Sequence, residues 1–223
     1  MCGRFTLTTD IKTLKNVFQL KENYFDYIPR YNIAPGQNLL VIIKEEGDRK
    51  IRPMKWGLIP AWARDPKIGY RMINARSETI DTKPAFKGPF QRRRCLIPAD
   101  GFYEWSDQNN TRKPFRVVLP GGTVFAFAGI WERWTPPGEG GPVVYTCSLI
   151  TAPASEYLVT IHHRMPVILD GEKDYKAWLE PGEPAALKEL LQTYRGELEC
   201  YPVSTSVNSP RNDHSGLIQR DSV

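Results

Sequence analysis

The sequence is short of the residues from which metal sites and disulfides are built. It has four cysteines and three histidines in 223 residues, and no two cysteines form a C-x-x-C pair. We therefore expect no metal and no cofactor. No apolar run approaches the roughly 20 residues that cross a bilayer, and the opening MCGRFT lacks the plan of a signal peptide. We expect a cytoplasmic protein without a membrane partner, whose cysteines stay reduced.

Long linkers and internal repeats are also missing. The 19 prolines and 17 glycines are scattered along the chain, which is typical of many short strands and turns. With 41% apolar and 11% aromatic residues, the chain can bury a sizeable core. The sequence predicts one strand-rich domain over residues 1–223 with few helices, and nothing in it requires more than a monomer.

Apolar runs bounded by Gly, Pro, Asn or Asp predict the strands. They cover residues 39–43, 55–58, 95–98, 115–119, 124–130, 143–150 and 165–169. The segment 119–123, LPGGT, predicts a tight hairpin between two of them, and the segment 136–142, PPGEGGP, predicts an exposed loop. Helical spacing predicts four helices: one capped by Thr9 or Asp10, one from Ser155 to about His162, one from about Asp170 that carries Tyr175 and Trp178, and one ending near Gly196.

Positive charge is concentrated in one part of the chain. The net charge is +5, but residues 49–116 hold 16 Lys and Arg against 6 Asp and Glu. Such asymmetry favours a basic face for a polyanion, with nucleic acid the first candidate. The alternative is a solubilising surface whose charges happen to cluster in sequence.

Three tryptophans, Trp56, Trp62 and Trp105, lie in this basic segment. Aromatic faces beside positive charge suit single-stranded nucleic acid, because bases stack on the rings while cations hold phosphates. Most tryptophans belong to cores, and we expect that of Trp56. Trp62, in the turn-rich PAWAR segment, is the better candidate for exposure.

The second residue, Cys2, has the most specific chemistry. Its side chain is small enough for an aminopeptidase to remove Met1, which leaves an α-amine and a thiol on adjacent carbons. Their usual pKa values are about 7.7–8.0 and 8.5. The amine can condense with an aldehyde to an imine, and the tethered thiol can then close a thiazolidine ring. The alternative is a tolerated cysteine without a role.

Two further candidates could move protons. Glu104 lies among aromatic residues in DGFYEW, where burial can raise a carboxyl pKa toward neutrality; the alternative is a salt-bridged Glu in a strand. His162, in IHHRMP, could act as a proton shuttle, although a lone His is often structural. In a helix or strand, adjacent residues point to different sides, so we expect His163 to face away from His162.

The segment MINARSE offers an amide and a cation. Asn74 can orient a terminal amine or hold a sugar hydroxyl. If the segment is extended, Arg76 shares a face with Asn74 and could bind a phosphate. The alternative is a turn stabilised by Asn74.

Taken together, these segments resemble the SOS-response-associated peptidase family, also called the abasic-site-processing family. Nine stretches match in the family's order over nearly the whole chain: MCGRF at 1, RYNIAPGQ at 30, WGLIPAW at 56, INARSET at 73, CLIPADGFYEW at 95, FAFAGIWE at 125, ITAPAS at 150, HHRMPVIL at 162 and PVSTSVNSP at 202.

The resemblance implies an α+β fold with a twisted, barrel-like antiparallel core. It implies a groove for single-stranded DNA and a thiazolidine link between Cys2 and the aldehyde of an abasic site, which shields the lesion. Asn74 would steady the Cys2 amine, Glu104 would assist imine formation, and His162 would transfer protons. The family's DNA-binding positions correspond here to Arg4, Trp62, Arg76 and Arg164.

One residue departs from the family's pattern, and two other functions stay open. The family commonly has Asp after its histidine, where this chain has His163. The family's name suggests a thiol peptidase built on Cys2, Glu104 and His162, although a peptidase does not need a terminal cysteine. The other alternative is a binding module for single-stranded DNA without catalysis, which leaves the Cys2 set unused.

Overall fold

Two sheets make up the protein in a computed structural model that describes residues 2–21, 27–108, 111–138 and 141–221. Met1, whose removal the Cys2 chemistry requires, lies outside the described residues. Thirteen strands are found in these ranges: β1 Phe5–Leu7, β2 Arg30–Ile33, β3 Asn38–Glu45, β4 Asp48–Trp56, β5 Asn74–Arg76, β6 Arg94–Ala99, β7 Gly101–Gln108, β8 Thr111–Val118, β9 Phe125–Trp134, β10 Val144–Pro153, β11 Arg164–Pro166, β12 Ile168–Leu169 and β13 Glu199–Pro202.

The larger sheet closes on itself. Its strands pair in the order β10, β4, β3, β6, β9, and β9 pairs again with β10, which gives a closed five-stranded barrel. This confirms the barrel-like core and the α+β class. The barrel is not wholly antiparallel, because β10 runs parallel to β4 and to β5. Closure leaves β10 with neighbours on both sides, and β5 and β11 extend the sheet from its far end.

The second sheet has the order β13, β8, β7, β1, β2. The chain passes from the barrel to this sheet at Asp100, between β6 and β7. Strand β1 lies inside the sheet, paired with both β7 and β2. The residues just before β1, starting with Cys2, are thereby held against the barrel.

The helices are short and lie outside the sheets. They are α1 Ile11–Phe18, α2 Pro84–Arg92, α3 Glu172–Leu179 and α4 Pro184–Glu189. Asp10 caps α1 as predicted, accepting from the Thr13 amide. Within the described residues, none of these helices has the length and apolar character of a membrane-spanning segment.

Several sequence predictions of elements are wrong. Helix α2 was not predicted, because its Pro84, Gly88 and Pro89 are typical helix breakers. The structure tolerates Pro84 because it occupies the first helical position. Residues 156–161 form consecutive turns rather than a helix, and α4 ends well before Gly196. The turn at 119–123 is not a hairpin, because β8 and β9 belong to different sheets.

The barrel is filled by aromatic and aliphatic side chains. Phe5 packs edge-on against Trp56 and Phe127, with ring centroids 5.3 and 5.5 Å apart. Trp56 is buried, as expected, and its indole donates to the Ile73 carbonyl. The ring of Phe5 thus ties β1, and the chain end beside it, to the barrel core.

Asp100, where the chain enters the second sheet, is the centre of a buried hydrogen-bond network. Its carboxylate accepts from the Thr6 hydroxyl at 2.6 Å and from the amides and hydroxyls of Thr8 and Thr9. The Arg116 guanidinium lies 3.5 Å away. The Asp100 side chain therefore fixes the segment that follows β1.

We expect Asp100→Ala to lower the free energy of unfolding by about 3–5 kcal/mol, because it leaves buried Arg116 without its anion. Urea denaturation measures the change. The control is Asp48→Ala, which breaks the exposed pair with Lys21 and should lower the free energy of unfolding far less, because solvent screens exposed ion pairs. Equal losses in the two variants would contradict a structural role for the Asp100 network.

Candidate functional site

Cys2 lies at the junction of the two sheets and is fully buried. Its thiol is 3.7 Å from the Arg4 carbonyl, and that carbonyl also accepts from the Tyr103 amide of β7. From the barrel side, Asn74 donates its amide N–H to the Cys2 carbonyl at 2.8 Å. Cys2 is thus held from both sheets at once.

The surroundings of Cys2 strongly disfavour ionisation of its thiol to a thiolate. Burial raises its pKa far above the usual value, and the nearby Glu104 carboxylate raises the pKa further. Reactive thiolates are found in electropositive, partly exposed surroundings, and Cys2 has neither. A neutral thiol is the form that this site stabilises.

Asn74 has a spare acceptor beside Cys2. Residues 74–76 are extended in β5, so Asn74 and Arg76 lie on one face, with buried Ala75 between them. The Asn74 Oδ1 atom is buried and accepts no hydrogen bond from the described residues. A donor on Cys2 itself would satisfy this oxygen.

Glu104 is a buried carboxyl with a neutral-range pKa. It lies on β7 and is 2% exposed. Burial raises its pKa to about 7, against the opposing effect of Arg112. Near pH 7 the group is therefore divided between acid and base, which suits it to proton transfer. The sequence-based expectation of a raised pKa agrees with this environment.

His162 is oriented by the backbone of Arg164. Its Nδ1 atom accepts from the Arg164 amide at 3.0 Å and lies 3.1 Å from the Arg164 carbonyl. Nδ1 can therefore accept from the amide or, when protonated, donate to the carbonyl, while Nε2 acts in the complementary sense. Burial lowers the His162 pKa, so the neutral ring is favoured.

The expectation that His163 faces away from His162 is wrong. The two imidazoles stack, with centroids 4.4 Å apart and planes inclined by 24°. The side-chain alternation of regular elements does not apply here, because both residues precede β11 in an irregular segment. The His163 charge also contributes to lowering the His162 pKa.

A cleft of about 340 Å³ opens beside Cys2. Two sheet strands, the His162 turn, the chain start and the C-terminal segment all contribute to its walls. The lining residues are Gly3, Arg4, Glu104, Trp105, Arg112, His162 and Asn208. The cleft therefore gathers Glu104 and His162 at the entrance to the Cys2 environment.

An aromatic and basic surface is formed by the loop between β4 and β5. The loop is closed at its base where Gly57, with φ +128°, touches the Gly69 backbone; a Cβ there would lie 2.7 Å from the Gly69 oxygen. Trp62 is 62% exposed, as predicted. A groove of about 360 Å³ lies beside it. The basic residues that line this groove are Arg64, Lys67 and Arg71. We call these three residues, together with Trp62, the Trp62 surface.

The basic segment as a whole does not form one face. Arg49, Arg52 and Arg93 pair with Glu172, Glu45 and Glu132. Arg94 is buried and donates to four backbone carbonyls. The positive charge in residues 49–116 is thus partly structural, and the exposed cations lie on the Trp62 surface, on β5, at α2 and, as Arg112, on β8.

The three arginines assigned to DNA differ in their surroundings. Arg76 is exposed. Arg4 is half-buried, and its guanidinium donates to Asn32, to the Val207 carbonyl and to the Asn208 carbonyl. Arg164 is 7% exposed and binds Glu78 with both terminal nitrogens, together with the Thr151 carbonyl. The DNA contacts of all three stay predictions, and the last two also have structural roles.

Two cleft residues are not among the sequence-based candidates, although Asn208 lies within the matching stretch at 202. Asn208 accepts from the Trp105 indole at 2.7 Å and reaches the site from the C-terminal segment. Arg112 is exposed on β8, which pairs with the strand of Glu104. Only the pairing of β7 with β8, a tertiary fact, brings Arg112 to the site.

Similarity to known proteins covers nearly the whole chain. A family model described as SOS response associated peptidase (SRAP) matches residues 1–210. The chain belongs to the SOS response associated peptidase family. It is 46% identical over 225 residues to the abasic site processing protein YoqW of Bacillus subtilis, covering 98% of this chain and 99% of that one.

More distant members of the SOS response associated peptidase family are also similar. The abasic site processing protein HMCES of Gallus gallus is 35% identical over 84% of this chain, which spans 65% of that protein. A crystal structure of a protein from Bacteroides thetaiotaomicron superposes with a TM-score of 0.86 at 25% identity, covering 99% of this chain and 100% of that one. The barrel and second sheet are thus the fold of a solved relative.

Proposed function

We propose that the protein processes abasic sites in single-stranded DNA by forming a covalent thiazolidine with Cys2 once Met1 is removed. The observation that carries the proposal is the burial of Cys2 between Asn74 and Glu104, in an environment that favours a neutral thiol. A terminal amine at this position would be the first nucleophile, with the thiol as the second. The names of the related proteins, which are abasic site processing proteins, support the substrate.

The reaction balances with the loss of one water. The neutral amine of Cys2 attacks the C1′ aldehyde of the ring-opened abasic sugar, and the carbinolamine loses water to give an imine. The thiol then adds across the C=N bond: sulfur bonds to C1′, the π electron pair goes to nitrogen, and the proton lost from the thiol is balanced by the hydrogen on the ring nitrogen. These steps transfer no net electrons, and the adduct weighs the sum of the reactants minus water.

The side chains around Cys2 match these steps. The spare Oδ1 of Asn74 can accept from the new amine, which would aim its lone pair at the aldehyde. Glu104, with a pKa of about 7, can donate to the departing hydroxyl and then accept the thiol proton. His162 can supply or remove a proton during sugar ring opening, because its Nδ1 has a backbone partner in either state.

A thiol peptidase is the main alternative, and the free amine distinguishes it. A Lys inserted between Met1 and Cys2 would keep the initiator methionine and block the amine, while the thiol stays. We expect this variant to form no adduct with an abasic strand. The proposal would be contradicted if the inserted variant formed the adduct as the wild-type protein does. Peptide cleavage that persists in the same variant would then favour the thiol peptidase.

A binding module without catalysis is the other alternative. It accounts for the Trp62 surface but gives no reason for the fixed arrangement of Cys2, Asn74 and Glu104. Such a module would release an abasic strand in denaturant as readily as an intact one. The covalent proposal predicts that only the abasic strand is retained.

Arg76 is proposed to bind a DNA phosphate. We expect Arg76→Ala to weaken non-covalent binding of single-stranded DNA and to lower the slope of log K against log salt by about 0.7, the value of one phosphate contact on a single strand. Fluorescence anisotropy over a series of salt concentrations measures the slope. The control is Lys21→Ala, which removes one exposed charge near Asp48; an equal change in both variants would exclude a specific contact.

A further inference from the structure

Arg112 is the cleft cation whose side chain is exposed. It lines the cleft together with Glu104 and His162 and is accessible to solvent. The other arginine of the cleft, Arg4, directs its guanidinium to the Asn32 side chain at 2.8 Å and to the carbonyls of Val207 and Asn208. The exposed side chain of Arg112 is accessible to an anion that enters the cleft.

The pairing of β7 with β8 sets where Arg112 lies. Trp105 pairs with Pro114, and Arg112, two residues from Pro114 on β8, lies on the same face as Pro114. The Trp105 indole is fixed by its hydrogen bond to Asn208. On this face of the sheet, the Arg112 side chain therefore follows the fixed Trp105 ring and lies at the rim of the cleft.

The charge of Arg112 acts on both proton-transfer groups of the cleft. It lowers the pKa of Glu104 and that of His162. The Glu104 carboxylate would repel a polyanion whenever it is ionised, and a cation at the rim offsets that repulsion. An abasic sugar that reaches Cys2 necessarily brings its flanking phosphates to the same rim.

We propose that Arg112 binds the DNA phosphate next to the abasic nucleotide and so holds the sugar over Cys2. This assignment rests on the proposed function, because it takes the cleft beside Cys2 as the place of the abasic sugar. Guanidinium suits the task, since its fork of N–H donors matches two phosphate oxygens. Arg112 is a substrate-binding residue in this proposal and takes no part in bond making.

The test uses DNA that cannot react, so that binding is separated from crosslinking. A single strand with one tetrahydrofuran abasic analogue has no aldehyde, and its affinity can be measured by anisotropy over a range of salt. We expect Arg112→Gln to lower the slope of log K against log salt by about 0.7. Lys113→Gln, the neighbouring charge that does not line the cleft, should leave binding of the analogue largely unchanged.

Neutral linkages identify the phosphate itself. A methylphosphonate placed in turn at each linkage around the analogue should abolish the difference between wild type and Arg112→Gln at one flanking position only. A wild-type slope in Arg112→Gln, or a difference that persists at every linkage, would overturn the assignment of Arg112. Failure of the wild-type protein to bind the strand at all would instead remove the proposed function, so the two failures are distinguishable.

Discussion

Replacing Cys2 with Ser is expected to abolish the denaturation-stable adduct with an abasic strand. The Ser amine, exposed by the same aminopeptidase, still forms an imine, but a hydroxyl adds to an imine far less readily than a thiol does. The imine then hydrolyses during denaturation. A denaturing gel of the reaction should show free protein and free DNA, with a band restored only when borohydride reduces the imine.

Two controls make the Cys2 result specific. Cys200→Ser removes a half-buried thiol on β13 and should leave adduct formation at the wild-type level. Non-covalent binding of intact single-stranded DNA by Cys2→Ser should also be preserved, since Cys2 does not line the Trp62 surface. A stable adduct formed by Cys2→Ser without reductant would show that another group makes the bond.

The second large effect is expected at Glu104. Glu104→Gln keeps the shape of the side chain but cannot transfer a proton, so we expect adduct formation to slow by about 10²-fold. In wild type, the acid form of Glu104 declines as pH rises through about 7, while the neutral form of an α-amine increases toward its ordinary pKa of about 8. The rate should therefore peak between these values, and the variant should lose the Glu104 limb of the profile.

The pH dependence of protein stability is an independent test of the raised pKa of Glu104. The pKa of Glu104 in the folded state, about 7, lies above the ordinary 4.5. The contribution of Glu104 to the free energy of unfolding is therefore fully present below pH 4.5 and is lost as pH rises through 7. Above that pH, Glu104→Gln should be more stable than wild type by up to about 3 kcal/mol. Denaturation on the acid and the alkaline side of this range measures the difference. In the kinetic experiment, adduct formation by Glu104→Gln at the wild-type rate would show that Glu104 takes no part in the chemistry.

The sequence predicts much of the barrel because its strands carry their own signals. Six of the seven predicted strands lie largely within β3, β6, β8, β9, β10 or the β11–β12 pair, and turn residues bound most of them. Helix α2 escapes notice because Pro84 and Pro89 carry the opposite signal, although a proline at the first helical position costs nothing. The turn at 119–123 misleads because local turn chemistry does not determine which sheet the next strand joins.

The candidate site is predictable as a set of residue types but not as a geometry. Cys2, Glu104 and His162 have chemistry that can be read from their neighbours in sequence. The carbonyl partners of Arg4, the pairing of Arg164 with Glu78 and the stacking of His163 depend on segments far apart in the chain. Arg112 reaches the cleft through strand pairing alone.

The intact mass of the product decides whether Cys2 forms the thiazolidine. Protein freed of Met1 is mixed with a uracil-containing single strand that uracil glycosylase has treated, and the mixture is denatured before mass spectrometry. The proposed mechanism predicts a species at the summed masses minus one water, which requires both the abasic site and the free Cys2 amine. Complete separation of protein and DNA, with both masses unchanged, would contradict the mechanism.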